Sequence, residues 1–173
     1  SNGVVPSADR CIAAATDTVA FDKLTEKDEA LAYLPLAWVG DHYLNYAQQL
    51  VAGFCTACCE TTDTAMQDLR EIGPTFYFAP PRTFEAMLTR VMIRMEDAGT
   101  FKRKLFHYFI GVAKRYGEDI LNGQPVPLRG RLLYALGKVL VYGPLKNVLG
   151  FSRVRVAYTA GEAIGPDLFS FYR

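Results

Sequence analysis

Apolar residues along this chain change their spacing twice, and the two changes mark out its organisation. Cys11, Ala14, Ala15 and Val19 follow Ser7 at helical intervals and predict a capped helix over 8–21. After a polar segment at 22–29, Ala30–Leu34 is a short apolar run cut off by Pro35, of the length of a buried strand and too short for a helix. Asp41 can start a helix over 43–51, Gly53 closes it, and a second strand follows at 54–58. Thr62 or Asp63 caps a helix to Ile72, Gly73-Pro74 breaks it, and Thr75–Ala79 is a β-rich third strand ended by Pro80-Pro81. Strands and helices alternating over connections of this length favour parallel pairing with right-handed crossovers.

From Arg82 the spacing becomes wholly helical. Phe84, Met87, Leu88, Val91, Met92 and Met95 predict a helix over 82–98, and further helices are expected at 101–116 and 128–141. Gly143-Pro144 and a short turn then return the chain to a strand at 153–158. The expected fold is therefore α/β: a mostly parallel sheet of about four strands flanked by helices, with a helical insertion over 82–150 between strands three and four. The last strand runs into a loop with two glycines, Gly161 and Gly165, and then into a helix opened by Pro166, whose fixed φ and missing N–H suit a first helical turn. Loops of this kind, beyond the carboxyl ends of strands in open α/β sheets, are where ligands bind.

Composition narrows the partners more than the fold. The 173 residues, half of them hydrophobic, fit one domain or a large piece of one. Nineteen basic and 18 acidic residues leave a net charge of +1, which gives no field to draw in nucleic acid. No apolar run approaches the roughly 20 residues that span a bilayer, and the N-terminus lacks the pattern of a signal peptide. Ser1-Asn2 has the look of a tag remnant. Cys11, Cys55, Cys58 and Cys59 do not suggest a disulfide ladder, and reduced thiols in a cytoplasmic protein are expected.

Several candidate sites reduce to ordinary structure. Cys55-Thr56-Ala57-Cys58-Cys59 holds a CxxC, but neither His42 nor His107 completes a ligand motif, so buried strand thiols are expected and no metal site. His107 sits among Phe106, Tyr108 and Phe109 and is expected to be a packed or surface residue. The Met stripe is expected to be core. Lys102-Arg103-Lys104 and Lys114-Arg115 suit a solvated helix face, with contact to lipid phosphates or an acidic partner as the other reading. Two loops stay balanced between function and structure. One is Leu34–His42, where Trp38 and His42 could line a site or Trp38 could be a hydrophobic plug beside an N-cap Asp41. The other is Gly161-Glu162-Ala163, either a nucleotide contact or a simple connection.

Taken in order, these segments resemble the middle of a long-chain acyl-CoA synthetase of the adenylate-forming, AMP-binding superfamily. Ala32–Ala37 is similar to the family's YLPLAH segment, and Leu69–Thr75 and Phe78–Glu85 follow at matching intervals, as does Lys102–Phe106. Tyr158-Thr159-Ala160-Gly161-Glu162-Ala163-Ile164-Gly165-Pro166 is similar to the family's SGGAPLSP segment. The resemblance implies that Gly161, Glu162 and Ala163 lie along the adenine of ATP and of the acyl adenylate. Glu162 and Ala163 depart from the commonest letters, but the contact is largely made by backbone. It further implies that Trp38, standing where the family has His, together with His42, Tyr158, Thr159 and Ala160, lies on the substrate side.

No catalytic residue and no metal ligand is implied within this stretch. Gly3-Val4-Val5 resembles the residues just after the phosphate-binding loop, and the magnesium-holding Glu of the family's YGxTE motif would lie beyond Arg173. The chain is thus expected to be a central part of the N-terminal domain of a ligase that uses ATP, magnesium and coenzyme A on a long-chain fatty acid, and to be inactive alone. A cytoplasmic setting, peripheral contact with the inner face of the membrane, and self-association through uncovered surfaces are further expectations. An aryl- or medium-chain ligase, and a non-catalytic nucleotide- or acyl-binding domain, remain the alternatives.

Overall fold

A computed structural model describes residues 5–173, so the expectation attached to Gly3 and Val4 lies outside the described residues. Four short strands, Glu29–Ala32 (β1), Cys55–Cys58 (β2), Phe76–Phe78 (β3) and Val156–Tyr158 (β4), form one sheet in the order β2-β1-β3-β4, with every pairing parallel. The chain divides into two compact units, the first running to Ala79 and including Gly150–Tyr158, the second made of Pro80–Leu149 and Thr159–Arg173.

The first unit carries the sheet and helices α1 (Ala8–Asp22), α2 (Val39–Asp41), α3 (Gln48–Ala52) and α4 (Ala65–Ile72). Ser7 caps α1 by accepting from the Arg10 amide, and Lys23 ends it in the left-handed region at φ 52°. Ala30 and Phe76 are register partners across β1 and β3, and both are fully buried with Leu24 and Phe54. Their chain neighbours Leu31 and Tyr77 alternate to the opposite face, where the Tyr77 ring meets Phe151 at 5.4 Å. Both faces of the central strands are therefore covered, which is why β3 is the unbroken apolar run Phe-Tyr-Phe.

The unit is also held by charge. Asp28, buried just before β1, accepts from Arg155 Nε at 3.1 Å and Nη2 at 2.8 Å, from the Thr75 hydroxyl at 2.7 Å and from the Thr25 amide at 2.8 Å. Arg155 also donates to the carbonyls of Asp22 and Lys23. Burial alone would raise the Asp28 carboxyl, but Arg155, Thr75 and Thr25 together hold it below its ordinary value.

Three expectations are corrected here. Cys55 and Cys58 are exposed and not buried, because β2 is an outermost strand of the sheet. Asp41 is not an N-cap, because the helix begins at Val39 after Trp38 and passes through a π-helical segment at His42–Ala47 before α3. Neither Thr62 nor Asp63 is the cap of α4, whose N-cap position is Thr64.

The second unit is helical: α5 (Pro81–Glu96), α6 (Thr100–Leu121), α7 (Leu128–Gly137), α8 (Gly143–Leu149) and α9 (Pro166–Tyr172). Phe84, Met87, Val91, Phe106, Phe109 and Val112 are buried, so the Met stripe reads as core at Met87. The Tyr172 hydroxyl donates to the Phe84 carbonyl at 2.8 Å and that of Tyr142 to the Phe109 carbonyl at 2.6 Å. The expected break at Gly143-Pro144 is absent. Lys138–Tyr142 is a π-helical segment in which the Gly143 amide bonds the Lys138 carbonyl, and the altered register lets α7 run on into α8 despite Pro144.

Candidate functional site

Because the strands are parallel, their carboxyl ends share one edge of the sheet, and the strand order reverses direction between β1 and β3. That switch point lies in the first unit and is formed by the loop after β1 and by the end of β3. The helix starting at Val39 presses close to it, since a Cβ on Gly40 would sit 2.6 Å from the Phe78 ring. Trp38, just before that helix, is 54% exposed and so is a surface group and not a buried plug. The amide of His42 donates to the Trp38 carbonyl at 3.0 Å, and the exposed His42 ring lies 5.3 Å from that of Tyr46. Trp38 and His42 thus share one helix start.

Between them stands Asp41, which is 1% exposed. Burial pushes its carboxyl up, against the opposing pull of Asn45 and of the Leu34 amide. Asn45 donates to Oδ1 at 2.6 Å, and Oδ2 has no hydrogen-bond partner. Sequence reasoning took Asp41 only as an N-cap and passed over Asn45, its buried partner four residues on. Tyr158, at the end of β4, accepts from the Ala79 amide through its carbonyl at 3.1 Å. Its hydroxyl donates to the Asp22 carboxylate at 2.9 Å, and burial together with that carboxylate pushes the phenol up to about 12. The side chain is committed to the fold.

In the second unit, Thr159–Ala163 form one loop ahead of α9. Ala160, Gly161, Glu162 and Ala163 are exposed, and the Thr159 hydroxyl is buried without a hydrogen-bond partner. Gly161 sits at φ +100°, with open space where a Cβ would project. Such a loop can lay its backbone along a flat ring. Glu162 reaches Arg82 at 3.4 Å, both side chains being well exposed, an ion pair worth little in water.

Elsewhere the candidates thin out. A shallow cleft of about 320 Å³, lined by Glu29, Ala30, Cys55, Ala57, Ile72 and Arg153, lies toward the amino ends of β1 and β2, away from the strand-end loops. Among the described residues no three His, Cys, Asp or Glu side chains gather as a metal would need. His107 is exposed, Arg103 is paired with Glu96, and the Arg115 guanidinium lies 5.3 Å over the Tyr116 ring.

Residues 2–173 match the AMP-binding enzyme family. The chain belongs to it. This AMP-binding chain is 26% identical over 165 residues to a long-chain-fatty-acid–CoA ligase of Xenopus laevis, covering 92% of the chain and 22% of that relative. It is 26% identical over 152 residues to long chain acyl-CoA synthetase 3 of Arabidopsis thaliana, covering 88% and 22%. It is 23% identical over 149 residues to the Drosophila melanogaster long-chain-fatty-acid–CoA ligase heimdall, covering 84% and 22%. The AMP-binding chain therefore spans about a fifth of the length of these curated relatives. No solved structure matches it. Among its described residues no helix is long and apolar enough to cross a membrane.

Proposed function

We propose that this chain is a central part of the N-terminal domain of a long-chain fatty-acid–CoA ligase, and that its two units belong to that one domain. In the parent reaction the fatty carboxylate attacks the α-phosphorus of ATP and releases pyrophosphate. The coenzyme A thiol then attacks the acyl carbon and AMP leaves. Within this chain Gly161, Glu162 and Ala163 form the adenine-side wall, with Thr159 and Ala160 leading into it from Tyr158. Trp38, in place of the family's His, walls the acyl and pantetheine path, with His42 beside it. The observation that supports the reading is the open, positive-φ turn at Gly161, inside the segment that resembles the family's SGGAPLSP motif, in a chain matched by the family over residues 2–173.

The fit to the cofactors is uneven. The exposed loop suits a flat base, whereas the described residues offer no magnesium ligand set, so no step is assigned to the metal here. The isolated stretch is accordingly read as inactive and at best a weak ATP binder. Its substrate is amphiphilic, which favours a cytoplasmic enzyme working against the inner membrane face.

The test uses the full-length parent. Gly161→Val forces a β-branched residue into a positive-φ turn. It is expected to raise the KM for ATP about tenfold, ~1.4 kcal/mol, while that for the fatty acid moves less than about twofold. An unchanged KM for ATP, or sub-micromolar ATP binding by the isolated chain in calorimetry, would overturn the reading.

A further inference from the structure

The solvent side of α7 carries a stripe of large apolar residues. Gly130 and Gly137 are buried: a Cβ on Gly130 would meet Tyr116 at 3.1 Å, and one on Gly137 would meet Phe109 at 2.8 Å. Opposite them, Leu128, Leu132, Leu136 and Val139 recur at i, i+4, i+8 and i+11, and are 73%, 63%, 49% and 73% exposed. Leu133 and Tyr134 turn inward beside the glycines, so the outward stripe is a second apolar face, which a soluble helix would ordinarily fill with polar residues. Its charges are one-sided as well. Arg129, Arg131, Lys138 and Lys146 are all exposed, and no acidic residue occurs from Ile120 to Gly161.

We propose that the outer face of α7 and the segment running on into α8 docks on a membrane surface rich in anionic lipid. Charge complementarity selects this occupant. By helical spacing Arg129 projects near the apolar stripe while Arg131 and Lys138 flank it. A covering protein core would bury the Arg129 guanidinium and would need a carboxylate to pair it. A second copy in a two-fold contact would set the same cations against each other. Headgroup phosphates receive these cations while the leucines enter the acyl boundary and the long basic side chains reach outward. The surface lies on a helix distinct from the loops assigned to nucleotide and acyl contacts, so it adds a lipid-facing element to them.

The test is cosedimentation of the full-length parent with vesicles of phosphatidylcholine alone and with about 30 mol % phosphatidylserine added. Binding to the anionic vesicles is expected to exceed neutral binding at least about tenfold and to fall as salt is raised. Arg131→Gln with Lys138→Gln should weaken it about 30-fold. Leu132→Ser with Val139→Ser should weaken it at least about tenfold with circular dichroism unchanged. Equal binding to both vesicles, or none, overturns the proposal. So does a salt-insensitive dimer broken by the serine pair, which would assign the face to a second copy. Vesicle binding that ignores all four substitutions would assign it to the rest of the protein, and would likewise overturn the proposal.

Discussion

The two units solve burial in opposite ways. The buried polar and charged side chains among the described residues, Asp22, Asp28, Asp41, Asn45 and Gln48, all belong to the sheet-bearing unit. In the helical unit the interior is apolar, and apolar residues continue onto the surface of α7. A parallel sheet of three- and four-residue strands has few ladder bonds, so its register is reinforced by side chains that bond across long stretches of sequence. Long helices satisfy their own backbone and need no such network, which frees their outer surfaces for other uses.

The largest break in this comparison is Asp28→Asn. It leaves Arg155 without its carboxylate and is expected to destabilise the first unit by about 3 kcal/mol in urea unfolding. Leu136→Ser on the exposed face of α7 should stay within about 0.5 kcal/mol. Equal effects would dissolve the contrast.

Acid should separate the units by a smaller margin. Asp28 is held below its ordinary 3.8, so its stabilisation is present above that pH and is lost as pH falls through the lowered value. Trp38, the chain's sole tryptophan, lies in the first unit and reports it selectively. Its fluorescence is expected to change at higher pH than helical circular dichroism on acid titration, and coincident curves would contradict this.

The smallest effect concerns Asp41, whose sign is reversed. Its carboxyl is pushed up by burial, so the ionised form weakens the fold as pH rises through the raised value. Asp41→Asn, which mimics the neutral acid, is expected to stabilise the chain near neutral pH by less than about 1 kcal/mol and to leave acid stability unchanged. A loss of stability at neutral pH would show that the charge itself is needed.

Much of this architecture was legible in the residues, but not at every depth. Short apolar runs stopped by proline located β1 and β3, and Pro166 located the start of α9, because those signals act within a few residues. Which strand lies at the edge depends on tertiary pairing, so the exposure of Cys55 and Cys58 could not be read locally. Asp41 carries the chemistry of a cap, but the helix starts ahead of it at Val39, where Gly40 lies close against the Phe78 ring, a contact no local pattern shows. The bond from Arg155 to Asp28 spans 127 positions, beyond the reach of any periodicity. For the site, Gly161 was recognisable by its neighbours, whereas the buried Asp41–Asn45 pair emerged only once the helix was folded.

One topological feature bears on how the chain is made. β3 ends at Phe78 and its partner β4 begins only at Val156. At synthesis rates of about 5–20 residues per second, the intervening roughly 80 residues keep β3 waiting for about 4–16 seconds. Throughout that interval a strand of Phe-Tyr-Phe presents an open hydrogen-bonding edge at the ribosome. The nascent chain is therefore most vulnerable to misassociation between the emergence of β3 and that of β4, and a chaperone that shields apolar strands would act in that window.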